Sequence, residues 1–158
     1  MLLASATAIG QRQEITLTDG WQFSRDQGTW QTVSVPHDWA ISGPFDKQWD
    51  LQTVAIEQNG EKEATEKSGR SGALPWIGEG HYKRTFTIPE GFSGYAELLF
   101  DGAMAEPTVS VNGRQAGYWA YGYNAFRVDI TSFVKPGENL LQVDLQNLEE
   151  SSRWYPGA

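Results

Sequence analysis

The chain has 158 residues, enough for one domain that buries a substantial core without staples. It contains no cysteine, which excludes a disulfide framework, a thiolate metal site and a cysteine nucleophile. Its 12 basic against 20 acidic side chains leave a net charge of -8, which repels phosphate backbones and anionic lipid, so neither nucleic acid nor a membrane is an expected partner.

In chain order, the first residues, MLLASATAIG, combine a short apolar run with two Ala-x-Ala triplets, Ala4 to Ala6 and Ala6 to Ala8, but no basic start. Residues 1–13 are expected to form an N-terminal tail. It is either the remnant of a secretory signal, which implies a periplasmic or secreted protein, or an ordinary disordered end, which leaves the cytoplasm as the alternative. Residues 14–158 are expected to form one domain.

Strand candidates follow at Ile15 to Thr18, Trp21 to Ser24 and Thr32 to Val35, and then the rhythm breaks. From Trp39 to Gly80 there is little alternation, and EQNGEKEATEK followed by SGRSG is charged and glycine-rich. A long solvated loop is expected at about 40–79. Period-two alternation resumes over Tyr82 to Ile88, with shorter candidates at Tyr95 to Phe100, Thr108 to Val111 and Tyr118 to Tyr121. Asn112-Gly113 is a strong hairpin signal because both residues tolerate positive φ. Phe126 to Ile130 and Leu141 to Leu145 close the series, with one helical turn expected at Thr131 to Val134 between them. No segment reads as a long amphipathic helix. Many short strands separated by turns predict an all-β, mostly antiparallel β-sandwich of jelly-roll type rather than a parallel sheet, which would need crossover helices.

Chemistry-bearing residues are sparse. His37 and His81 lack zinc-motif spacing, and no metal site is expected. There is no Gly-x-Ser-x-Gly elbow, and Ser71 in GRSG reads as a loop residue. GEGHYK, from Gly78, lacks the third glycine of a dinucleotide fingerprint and leads into a strand, so no cofactor is implied. A glycosidase needs two carboxylates across a cleft, and Asp38, Asp46, Asp50 and Glu79 stand near Trp39, Trp49 and Trp76; as loop acids in an acidic chain they also fit simple solvation. PHDW, Pro36 to Trp39, reads as structural: the proline ends a strand, Asp38 serves backbone N–H groups and Trp39 packs. The 7 Trp, 6 Tyr and 7 Phe are core material, but rings with a polar handle also suit sugars, and Trp76, Trp119 and Trp154 are candidates for an aromatic platform. The chain closes on SSRWYPGA, a bulky amphipathic cluster that predicts a continuation beyond Ala158.

Together, WQFS from Trp21, VSVPHDW from Val33, GEGHYKR from Gly78, FDG from Phe100, VSVNG from Val109, Gly117, Gly122-Tyr123, Phe126, DIT from Asp129, Asn139 and SSRWYPG from Ser151 resemble the N-terminal domain of family-two glycoside hydrolases. The β-galactosidase branch is the nearest in pattern, and the resemblance covers about residues 14–158. It implies a galactose-binding-domain-like jelly roll, followed in the complete enzyme by an immunoglobulin-like domain and a TIM barrel that carries both catalytic glutamates. On that reading no catalytic residue lies in this chain, and it is the non-catalytic part of a retaining enzyme acting on terminal β-galactosides. By position, the resemblance implies Asp46, Ser152 and Arg153 as substrate-binding groups. Arg153 serves equally well as a structural ion-pair partner. The alternative is an independent carbohydrate-binding module without hydrolase activity.

Overall fold

The computed structural model describes residues 12–39, 41, 54–58, 61–65 and 78–147, with the backbone alone of 54–58, 61–65 and 147. Ten strands lie in these residues: β1 (Trp21–Ser24), β2 (Gln31–Val33), β3 (Val54–Gln58), β4 (Glu61–Thr65), β5 (Gly78–Ile88), β6 (Glu97–Phe100), β7 (Thr108–Val111), β8 (Arg114–Tyr118), β9 (Phe126–Asp129) and β10 (Gly137–Asn147). One antiparallel sheet runs in the order β2-β1-β5-β10-β7-β8, and β6 pairs with β9 in a second. The two sheets face each other across the core, as the alternation requires: Leu141, Val143 and Leu145 of β10, Val109 and Val111 of β7, and Phe126 and Val128 of β9 are buried, whereas Arg127, Asp129 and Gln146 face solvent. Leu98 and Phe100 of β6 pack against the same cluster.

The centre of the sandwich is the β5–β10 pair, in register from Gly137 opposite Ile88 to Asn147 opposite Gly78. β1 and β2 extend the sheet on the β5 side, β7 and β8 on the β10 side. At the β7–β8 hairpin, Asn112 and Gly113 have φ of 52° and 76°, the left-handed pair that a two-residue connection requires. A register shift between Val109 and Ser110 then lets Gly117 lie under Val128. The helical turn is present: Phe133 and Val134 N–H groups donate to Ile130 O, and Asp129 Oδ1 caps it by accepting from Thr131 N at 2.9 Å.

Three sequence expectations change. Ile15 to Thr18 is not a strand, because the segment runs past the short edge strand β2 and meets its neighbour only where Val35 N donates to Thr18 O. Tyr118 to Tyr121 is not one either. The hairpin puts Arg114 opposite Val111, so the partner strand is β8 and is finished by Tyr118. The stretch expected to be loop at about 40–79 contains the β3–β4 hairpin, with Gln58 opposite Glu61 and Asn59-Gly60 between them in sequence. That dipeptide is the same hairpin signal as Asn112-Gly113, obscured by flanking charge.

Asn139, 1% exposed, locks the end of the sandwich near the helical turn. Its Oδ1 accepts from Asn112 Nδ2 at 2.8 Å and Lys135 N at 2.9 Å, and its Nδ2 donates to the carbonyls of Lys135 at 2.7 Å and Gly137 at 2.9 Å. Asn139→Ala removes these four hydrogen bonds from a buried position, and we expect urea unfolding to report a loss of about 1–3 kcal/mol.

Candidate functional site

The opposite end of the sandwich is where β5 begins, β10 ends and the connections after β1, before β7 and after β8 meet. Its floor is aromatic. Phe23 of β1 and Tyr82 of β5 have ring centroids 4.8 Å apart, and the PHDW segment closes over them: the His37 ring lies 5.0 Å from Phe23 and shares a 2.7 Å hydrogen bond between Nδ1 and the Tyr82 hydroxyl. Trp39 is 1% exposed, its carbonyl accepts from Arg25 Nη2 at 3.0 Å, and its indole N–H points to Met104 O at 3.4 Å. Gly80 makes this closure feasible, since a Cβ there would sit 3.0 Å from Trp39 Cε3 and 3.2 Å from Phe23 Cε2.

The neighbouring connections are tied to the same end by backbone bonds. Ala105 and Gln146 exchange N–H···O=C bonds of 3.2 and 2.9 Å, which joins the segment before β7 to the last turn of pleat in β10. Trp119 N donates to Pro107 O at 3.1 Å, and Gly122 lies against Met104, where a Cβ would meet Cγ at 2.9 Å. Trp39, Met104 and Gly122 therefore form one continuous contact across three segments.

Electrostatics give this floor a structural character. Burial pushes the Tyr82 phenol well above its ordinary range, so it stays protonated. Burial lowers His37 below its ordinary 6.5, with Arg25 acting in the same direction and Asp38 opposing. A neutral imidazole wedged between rings is a packing element, as the sequence reading of PHDW expects, and Asp38 Oδ1 accepts from Ile41 N at 3.1 Å.

On the outer face of the large sheet, the register aligns Ser24, His81 and Asp144 on adjacent strands. His81 Nδ1 lies 2.6 Å from Asp144 Oδ1, Nε2 lies 3.7 Å from Glu79 Oε2, and Gln27 Nε2 covers the ring at 3.4–3.5 Å. The row is not a hydrolytic triad: Ser24, 2% exposed, donates its hydroxyl proton to Asp26 Oδ1 at 2.9 Å rather than to histidine. Asp26 is held down to about 2 by the N–H groups of Thr29 and Gly28 and by Ser24, which fixes the turn that carries Gln27.

Of the residues expected from sequence to bind substrate, Asp46, Ser152 and Arg153 lie outside the described residues, as do Trp76, Trp154, Asp50 and Ser71. The described chain does bring Trp39 and the end of β10, which precede Asp46 and the Ser152-Arg153 pair in sequence, to the same end of the sandwich. Trp119 stands there too, 38% exposed. Sequence reasoning missed the His81–Asp144 pair and the exposed Tyr121 and Tyr123, which depend on strand register and on how one loop lies.

The family described as Glycosyl hydrolases family 2, sugar binding domain, matches residues 7–157. A beta-galactosidase of Bacteroides ovatus is 30% identical over 168 residues, covering 98% of this chain and 18% of that protein. A beta-glucuronidase of Bacteroides fragilis is 29% identical over 174 residues, covering 99% of this chain and 21% of that protein. Among solved structures, a glycosyl hydrolase family 2 member from Bacteroides cellulosilyticus superposes with a TM-score of 0.69 at 27% identity, over 91% of this chain and 19% of that one. The chain thus spans about a fifth of the length of these relatives.

Two outcomes test the floor. Gly80→Ala drives a methyl into Trp39 and Phe23, and we expect a loss of about 1–3 kcal/mol in urea unfolding. Because folded His37 takes up its proton less readily than unfolded His37, its contribution is fully present above 6.5 and is lost as pH falls below that value. Urea midpoints measured from neutral to acidic pH should fall through that window, and the fall should be shallower in His37→Gln.

Proposed function

The chain belongs to the sugar-binding domains of glycosyl hydrolases family 2, and on that premise we propose that it is the non-catalytic N-terminal domain of a retaining β-galactosidase. In this reading the reacting carboxylates stand on a separate barrel domain, and the sandwich braces and borders their cleft. Asp46, Ser152 and Arg153 position the terminal galactose: a carboxylate accepts from two sugar hydroxyls, and a guanidinium donates a forked pair to oxygen acceptors. Correct placement of the sugar supplies part of the rate even when the bond-breaking groups belong to another domain.

The observation that carries the reading is convergence. The PHDW segment, the connection before β7 and the end of β10 are bonded to one another at a single end of the sandwich, and the segments bearing the three proposed groups follow from there in sequence. The aromatic floor at that end is closely packed, with Phe23, Trp39 and Tyr82 buried, which suits a scaffold that holds loops in place rather than a catalyst in its own right. The choice of galactoside over glucuronide rests on the motif pattern and on the similarity to the Bacteroides ovatus enzyme.

Steady-state kinetics of the full-length parent decide it. We expect turnover of an aryl β-galactoside, none by the 158-residue chain alone, and a drop of about 10–100-fold in kcat/KM for Asp46→Asn and Arg153→Ala. A parent that cleaves the aryl β-glucuronide and leaves the galactoside untouched would overturn the galactosidase reading. Unchanged kinetics in both variants would remove the two residues from the substrate site.

A further inference from the structure

The connection from β8 to β9 reads Tyr118-Trp-Ala-Tyr-Gly-Tyr-Asn-Ala-Phe126, with four exposed or partly exposed aromatic rings and no Asp, Glu, Lys, Arg or His, in a chain that is 20% charged. Trp119 is 38% exposed, Tyr121 39% and Tyr123 49%. Trp119 is also mounted on the core. Its ring is stacked on Phe126 at 5.6 Å and 7° between planes, and Phe126, 4% exposed, is stacked on Phe100 at 4.7 Å and 4°. This column packs one face of the indole on the core. The Trp119 N–H bond to Pro107 O fixes its backbone, and Gly122 seats the loop on Met104. Tyr121 and Tyr123 stand with ring centroids 5.6 Å apart, tilted by 53°.

We propose that Trp119, with Tyr121 and Tyr123, forms a stacking ledge for a pyranose unit of a neutral oligosaccharide. A flat indole held on its buried face costs little ordering entropy when a ligand covers the other. A phenol carries both a donor and an acceptor suited to sugar hydroxyls. Without a cation the ledge offers nothing to a uronate or a phosphate, and the net charge of -8 disfavours a nucleic-acid base as the stacked ring. The ledge lies at the same end of the sandwich as the candidate site. The inference rests on the family's carbohydrate role but not on which hydrolase the parent is.

Calorimetric titration of the 158-residue chain with a β-linked galacto-oligosaccharide, and with an oligouronide of equal length, tests it. The expected result is saturable millimolar binding of the neutral sugar alone, weakened about tenfold in Trp119→Ala and largely kept in Trp119→Phe. Should Trp119→Ala fail the urea-unfolding control because it uncovers Phe126, the Tyr121→Ala and Tyr123→Ala variants carry the same expectation. Absence of saturable binding, equal binding of the uronide, or neutral-sugar binding unchanged in every ledge variant overturns the proposal. So does a parent whose melting temperature falls in Trp119→Ala while the titration of the chain does not change, since the ledge is then a protein interface. A parent inactive on galactosides leaves the titration outcome standing, so the two readings fail separately.

Discussion

The long antiparallel ladder between β5 and β10 is the constraint on which the rest of the molecule depends. Its register sets which residues of both strands face the core, because a slip by one would turn Tyr82, Val143 and Leu145 outward and bring Lys83 and Asp144 in. Every other strand of the large sheet is added to one side of this pair or the other. The same register delivers Gly78 and Asn147 together at one end, so the chain enters and leaves the ladder where the candidate site lies.

The two ends of the sandwich are built by different physics. Near the helical turn, polar side chains are paired: the buried Asn139 and the exposed Asn112 bridge the hairpin, the turn and the start of β10 with charge-free hydrogen bonds. A buried amide with its donors and acceptor used makes such an end specific. The other end is closed by rings, with Phe23, His37, Trp39 and Tyr82 in mutual contact and glycines at positions 80 and 122 where another chain segment comes too close for a side chain.

The His81 row illustrates how register can imitate chemistry. A serine, a histidine and an aspartate stand side by side on three strands, yet the serine proton is committed to Asp26 and the ring is covered by Gln27. The arrangement stabilises the outer face of the sheet and the turn after β1.

The sequence alone determined the fold class, the strands with clean alternation and the two-residue hairpin at Asn112-Gly113, because periodicity and turn chemistry are local properties of the chain. It also determined the family, since the motifs recur in order along nearly the whole length. It misplaced the strand after that hairpin and the one before Trp21, and it passed over the β3–β4 hairpin, because whether an apolar pair becomes a strand depends on a partner that may be distant in sequence. Only the tertiary structure decided that His37 packs on Tyr82, that His81 meets Asp144 across 63 residues and that Trp119 is mounted on Phe126 and Phe100. Those contacts follow from register and layer packing, which fix distances between residues that no local pattern relates.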